Sequence, residues 1–172
     1  TPHSSLVAEK PLWNHQLSIQ SYTLLYTSST LNVSMQQPNQ TSKQCLSCHD
    51  GTVALGQTVA KNLLIPTQGS MSAPAVLGVD LRNDHPISFT PGDDGQLVPS
   101  LFQNPASTGD ATVKLYLGRV ECTSCHDAHE PNRDPVVTKF LVRSNSSGAI
   151  CLACHDPSRP QPNQLNGWTT GA

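Results

Sequence analysis

The sequence predicts a fold of mostly irregular coil with short helices and a few short strands. Its 172 residues include 14 Pro and 11 Gly, which interrupt helices and strands and favour turns. Only 36% of the residues are hydrophobic and 5% aromatic, so a core made by side chains alone would be thin. Charged residues make up 13%, too few for a chain kept disordered by charge repulsion. We therefore expect a bound group to organise the fold.

The elements are expected in three zones of a single domain, 1–172. The N-terminal segment 1–44 contains partial alternation of apolar residues between Leu17 and Met35, which predicts short strands. The zone 45–121 contains an apolar segment, Val53 to Ile65, predicted to be helical, and then a long loop region rich in Pro and Gly. The zone 122–172 ends in a tail rich in Pro, Asn and Gln.

The pattern Cys-x-x-Cys-His occurs three times and uses all six cysteines. On a short helical segment the two thiols lie one turn apart and can add to the vinyl groups of one haem, which places the next histidine under the iron. The motifs therefore predict three covalently attached haem c groups. The thioether residues are Cys45, Cys48, Cys122, Cys125, Cys151 and Cys154, and the proximal iron ligands are His49, His126 and His155.

Two other uses of the cysteines remain open from spacing alone. Two of the three pairs could form one structural zinc site, with one pair left over. All six could form disulfides in a secreted protein. Neither use requires a histidine after every pair, so haem attachment is the favoured interpretation.

The second axial ligands decide the chemistry. Two methionines, Met35 and Met71, lie outside any recognisable motif and are interpreted as packing residues. Bis-histidine iron has no open position for a substrate, so we expect an electron carrier and not an enzyme. The predicted distal ligands are His15, His85 and His129, with His3 as a further distal or inter-subunit candidate.

Charged residues near the motifs are candidates for several roles. Each motif is followed by an aspartate, for which three roles stay open: orienting the proximal imidazole, capping the motif helix, or lying solvated at the surface. Three basic side chains are candidates for pairing with haem propionates, although this is not the favoured interpretation of any of them. The aspartates are Asp50, Asp127 and Asp156, and the basic residues are Arg119, Lys139 and Arg143.

The overall charge and hydropathy limit the partners and the location. The formal net charge is −2 and no Lys/Arg cluster occurs, so nucleic acid is not an expected partner. The longest apolar stretches are a handful of residues, so no transmembrane segment is expected. The chain begins at Thr1 without an apolar segment, which we interpret as a processed, extracytoplasmic form.

Several segments resemble multihaem cytochromes with paired Cys-x-x-Cys-His motifs, including the extracellular cytochrome-filament subunits, or nanowires, of metal-reducing microbes. These segments are 11–15 (PLWNH), 45–56 (CLSCHDGTVALG), 83–89 (NDHPISF), 122–129, 140–143 and the last motif. The resemblance implies closely stacked bis-histidine haems, little regular secondary structure and electron transfer to extracellular acceptors or redox partners. It also implies a homopolymeric filament in which an axial histidine crosses a subunit boundary.

The first residues depart from that resemblance. In the family, Thr-Pro-His commonly follows a Cys-x-x-Cys-His, and here Thr1-Pro2-His3 opens the chain. Two hypotheses follow: a fourth haem motif lies upstream, or His3 or His15 ligates a haem in a neighbouring subunit. A discrete periplasmic or cell-surface shuttle is the alternative to a filament, and a multihaem reductase subunit is a less favoured one.

Overall fold

The computed structural model describes residues 13–28, 31, 33–60, 62–67, 69–91, 112–130, 133–134 and 139–155. Within these ranges most residues are coil, turn or bend, and the helices are short. The predicted fold class, irregular coil with short helices, is confirmed. His3, Asp156, the tail and residues 92–111 of the predicted loop lie outside the described residues.

Helix α1, Gln40–His49, carries the first Cys-x-x-Cys-His motif. The helix follows extended backbone at Asn39, whose carbonyl accepts a hydrogen bond from the Lys43 amide. It ends where the Asp50 amide donates to the Leu46 carbonyl and Gly51 turns the chain with φ +73°. Glycine adopts this left-handed conformation without the strain that a Cβ adds. Leu46 is fully buried and anchors the helix.

The other two motifs form single turns. Helix α2, Cys122–Cys125, is closed at its start by a capping box, in which the Ser124 hydroxyl accepts from the Glu121 amide at 3.0 Å. The third motif forms a 3₁₀ helix, Cys151–Ala153, shortly after another at Ser146–Gly148. A further 3₁₀ helix spans Ala73–Ala75. The prediction that each cysteine pair lies on one helical turn is confirmed.

The chain groups into two compact units. Among the described residues, the first unit comprises 13–27 and 37–85 and contains the first motif. Its buried apolar side chains include Tyr22, Leu46 and Leu81. The second unit comprises 28–36 and 86–155 in the same described part and contains the second and third motifs. The expectation of one domain spanning 1–172 remains a prediction.

The second unit has a small apolar cluster beside its motifs. Val113, Val142 and Ala153 are buried together. Two partly buried residues of the third motif region, Ile150 and Cys154, pack against this cluster. Ala153 lies between the two cysteines of the third motif, so the cluster holds that motif in place.

The short strands predicted between Leu17 and Met35 do not form in the described part of that region, where only an isolated bridge pairs Leu24 with Asp80. At Tyr22 the side chain of Gln37 makes the backbone hydrogen bonds that a neighbouring strand would otherwise make. The Gln37 amide accepts from the Tyr22 N–H through Oε1 and donates to the Tyr22 carbonyl through Nε2, both at 2.7 Å. These backbone groups are therefore satisfied without a sheet.

The helix predicted for Val53 to Ile65 is also wrong. The described residues there form a bent hairpin-like turn, because Thr58 N–H donates to the Leu63 carbonyl and Ile65 N–H donates to the Gly56 carbonyl. Asn62 sits at φ 48° in the turn. A helical continuation is incompatible with this left-handed residue.

Replacing Gly56 with alanine should lower the free energy of unfolding by about 2 to 3 kcal/mol, because the new Cβ would overlap the Ile65 carbonyl oxygen. Thermal unfolding followed by circular dichroism measures the effect. Gly69→Ala is the control: its Cβ would meet nothing within 4 Å, and only its φ of +93° opposes the change, at about 1 kcal/mol. Equal losses for the two variants would contradict the overlap at Gly56.

None of the helices in the described ranges has the length and apolar character needed to cross a membrane.

Candidate functional site

All six cysteines lie within the described residues, and each is half-buried. No disulfide joins any of them. Across the part of the chain that the structure describes, no three His, Cys, Asp or Glu side chains come together as ligands of one metal ion, as the zinc alternative requires. The thiols are therefore arranged as three pairs, each on its own turn.

The proximal histidine of the first motif is held by backbone on both its ring and its carbonyl. His49 Nδ1 lies 2.7 Å from the Ala75 carbonyl oxygen. The His49 carbonyl accepts from the Leu77 amide at 2.7 Å. A carbonyl only accepts, so Nδ1 carries the proton and Nε2 keeps its lone pair for a metal.

The proximal histidine of the second motif is held in the same way. His126 Nδ1 lies 2.8 Å from the Lys139 carbonyl oxygen, which again leaves the lone pair of Nε2 available for a metal. The adjoining segment is fixed by two backbone bonds, from the Asp127 amide to the Phe140 carbonyl and from the Val142 amide to the Cys125 carbonyl. In two motifs that lie in separate units, a backbone carbonyl at Nδ1 thus orients the imidazole.

The third motif repeats the backbone geometry of the second. The His155 amide donates to the Cys151 carbonyl at 2.9 Å, and the His126 amide donates to the Cys122 carbonyl at the same distance. Each histidine therefore follows its cysteine pair at the end of a closed turn.

The thiols of the second and third motifs lie close enough to affect one another. Burial raises the pKa of the Cys125 thiol to about 11, and Cys154, Cys151 and Cys122 raise it further by charge repulsion. Burial and then the Cys151 charge raise the pKa of Cys154. Packing also joins the two motifs, because the Val142 amide donates to the Cys125 carbonyl and the Val142 side chain is buried with Ala153.

Apolar surface lies beside the proximal histidines. Val76, Leu77 and Val79 follow directly on the segment that binds His49, and they are 43%, 39% and 41% exposed. Phe140, next to the residue that binds His126, is 46% exposed. Paired thiols, an available Nε2 and adjoining apolar surface are the features that covalent haem requires, so these residues fit the group.

His15, one predicted distal ligand, is buried in the first unit at 3% exposure. Its Nδ1 lies 2.8 Å from the Gln16 carbonyl and its Nε2 lies 3.1 Å from the Ala54 carbonyl. The edge of the Trp13 ring faces it, with ring centroids 6.4 Å apart. A neutral imidazole has one N–H, so only one carbonyl is hydrogen-bonded at a time. Iron ligation through Nε2 would replace the Ala54 contact.

The other described distal candidates are exposed. His85 lies in the first unit with His15 and His49. His129 lies in the second unit, its side chain is 92% exposed, and its Nδ1 is 3.4 Å from Asp127 Oδ1. Their assignment as distal ligands remains a prediction.

Asp50 and Asp127 do not orient the rings of His49 and His126, whose Nδ1 partners are the Ala75 and Lys139 carbonyls. Asp50 instead accepts from Tyr22 Oη at 2.7 Å and from the Thr52 amide and hydroxyl at 2.8 Å. Burial would raise the pKa of Asp50, but hydrogen bonds from Ser18, Thr52 and Tyr22 outweigh it and lower the pKa. Asp127 accepts from the His129 amide.

Arg119, one of the candidate propionate partners, binds protein groups. Its guanidinium donates to the Ser88 carbonyl and to Gln36, and it lies 3.6 Å from the fully buried Glu121 carboxylate. The Glu121 carboxylate also accepts from the Ser88 hydroxyl at 2.8 Å. The sequence analysis did not identify Glu121 or Tyr22 as residues of the site. The one sequence feature that pointed to either of them was the position of Glu121 directly before a cysteine motif.

The second and third motifs together match a known protein family. Residues 117–160 match the family described as Doubled CXXCH motif. No curated protein matches the sequence significantly. The match and the geometry of the thiol pairs support a multihaem c-type cytochrome, an electron-transfer protein with covalently bound haem c located outside the cytoplasm.

Proposed function

We propose that this chain transfers electrons through three closely packed haem c groups, each with histidine on both sides of the iron. The observation that carries the proposal is the grouping of the second and third cysteine motifs in one unit, where Val142 bonds to the Cys125 carbonyl and packs with Ala153. Groups attached to these thiols would be held at short separation. Close spacing favours electron exchange between cofactors.

Val142 sets the spacing of the two motifs. Its amide donates to the Cys125 carbonyl at 2.9 Å, and its side chain packs in the buried cluster with Ala153 of the third motif. One residue thus contacts both motifs, so relative movement of the thiol pairs is restricted.

Haem iron supplies the one-electron couple, and the chain supplies attachment, ligands and insulation from water. His49, His126 and His155 are the proposed proximal ligands. The carbonyls of Ala75 and Lys139 hold two of these rings in the ligating tautomer. The proposed distal ligands are His15, His85 and His129, with His3 as a further candidate.

Intact mass and optical spectroscopy of the native protein test this function. We expect the mass of the chain plus three haems, an entirely low-spin spectrum, and no carbon monoxide adduct after reduction. A mass higher by one haem and an added segment would support a fourth motif upstream of Thr1. Carbon monoxide binding would instead favour a reductase subunit with an open iron, and a colourless product would favour zinc.

We further propose that the chain acts outside the cell as the subunit of a polymeric cytochrome filament. Support comes from the resemblance of several segments to filament cytochromes and from four histidines beyond the three motifs. The 92% exposure of the His129 side chain is compatible with a ligand presented at a surface. The partners would be further copies of this chain and extracellular electron acceptors.

Negative-stain microscopy distinguishes the filament from a discrete shuttle. Filaments in concentrated native protein are expected, whereas particles that stay monomeric at high concentration would contradict the proposal. His3→Ala and His15→Ala then test ligation between subunits. If either histidine ligates a neighbouring subunit's haem, its replacement should weaken polymerisation, and normal polymerisation of both variants would contradict this role.

A further inference from the structure

We propose that Asp50, held by Tyr22 and Thr52, is a fixed buried anion that lowers the reduction potential of the haem attached at the first motif. The inference rests on the proposed haem function. It assigns a role in tuning the potential to a carboxylate that is not an iron ligand.

The carboxylate lies immediately after the proximal ligand and is shielded from solvent. Asp50 follows His49 in sequence and is 4% exposed. Tyr22, whose hydroxyl donates to Asp50 Oδ2, is 1% exposed. A charge in such a place is less screened by water and salt than an exposed charge, so its field acts more strongly on a neighbouring redox centre.

The hydrogen bonds at Asp50 suit the ionised form. Oδ2 accepts from the Tyr22 hydroxyl, and Oδ1 accepts from the amide and the hydroxyl of Thr52. An ionised carboxylate accepts these hydrogen bonds on both oxygens at once and has no hydrogen of its own to place. None of the ion pairs found among the described residues involves Asp50. Within the described part of the chain, its negative charge is therefore stabilised by neutral donors.

The donors are themselves held in place. Gln37 binds both backbone groups of Tyr22 at 2.7 Å, and the Ser18 hydroxyl lies 3.2 Å from the Thr52 hydroxyl. The anion is thus preorganised and does not need to reorient when an electron arrives or leaves. Oxidised iron carries one more positive charge than reduced iron, so a nearby anion favours the oxidised state and lowers the potential.

The second motif offers a matched comparison. Asp127 occupies the same position after its histidine, but its side chain is 37% exposed. Its Oδ1 accepts from the His129 amide at 3.0 Å. Water screens an exposed carboxylate, so Asp127 should affect its haem less than Asp50 affects the first one.

Spectroelectrochemical titration of the fully loaded protein tests the inference with Asp50→Asn, Asp127→Asn and Tyr22→Phe. Asp50→Asn should raise the potential of one haem by at least about twice the shift seen in Asp127→Asn, because the buried charge is less screened. The haem whose potential shifts should be the one whose step is missing from the titration curve when Cys45 and Cys48 are replaced by alanine. Tyr22→Phe keeps the charge and should not produce this rise.

Two outcomes would overturn the inference. The first is a fully loaded Asp50→Asn protein whose reduction potentials are unchanged. The second is a rise in potential in Tyr22→Phe equal to that in Asp50→Asn, which would indicate that Asp50 has a purely structural role. If Asp50→Asn does not load, Asp50→Glu and Tyr22→Phe carry the test. Both retain the charge, and a rise beyond that of Asp127→Asn in either would contradict the proposal. A wild-type protein that carries no haem at the first motif would instead refute the proposed function itself.

Discussion

Replacing Cys45 and Cys48 with alanine is expected to remove one haem from the protein and to leave the haems of the second unit attached. Both thioether positions of the first motif are lost, while the other two pairs lie in a separate compact unit. The measurement is the intact mass, combined with the haem absorbance per polypeptide. A decrease from three haems to two is the expected result.

The same change should destabilise the first unit. Its described apolar residues include several that are exposed beside His49, such as Val76 and Leu77, and a bound haem would cover them. Loss of the haem therefore removes a large part of the apolar burial, and limited proteolysis should cut the first unit faster than the second.

Ser70→Ala is the control for this experiment, because Ser70 is an exposed residue of the same unit. Ser70→Ala should retain full haem loading and normal resistance to proteolysis. Unchanged haem content in the double cysteine variant would show that the first motif does not attach haem.

Replacing Glu121 with alanine should lower the free energy of unfolding by about 3 kcal/mol or more, because it leaves a largely buried Arg119 guanidinium without its carboxylate. The Glu121 side chain is fully buried and belongs to the capping box of α2. It also accepts from the Ser88 hydroxyl. The change therefore removes a charge partner, a cap and a buried acceptor together.

Denaturant unfolding followed by circular dichroism in the haem bands measures this loss. Asp80→Ala is the matched control, because Asp80 pairs with Arg82 at 2.6 Å in an exposed ion pair. Surface ion pairs contribute little to stability, so this variant should unfold at the wild-type denaturant concentration. A Glu121→Ala protein as stable as wild type would contradict the role of the buried pair.

Composition and motif spacing were sufficient to predict the coil-rich fold and the three thiol pairs on helical turns. Both properties are local: Pro and Gly limit regular structure wherever they occur, and residues three positions apart meet on any helical turn. The predicted helix at Val53 to Ile65 failed because Gly56 and Ile65 pair their backbones across a turn. Apolar content alone does not distinguish these conformations.

The sequence by itself was enough to predict which residues attach haem, because the Cys-x-x-Cys-His pattern encodes thiol spacing and an adjacent ligand within five residues. Only the tertiary structure decided what surrounds those ligands. The Ala75 carbonyl reaches His49 across 26 positions, and Tyr22 reaches Asp50 across 28. Such contacts depend on how distant segments fold back on each motif, and no local pattern specifies the partner.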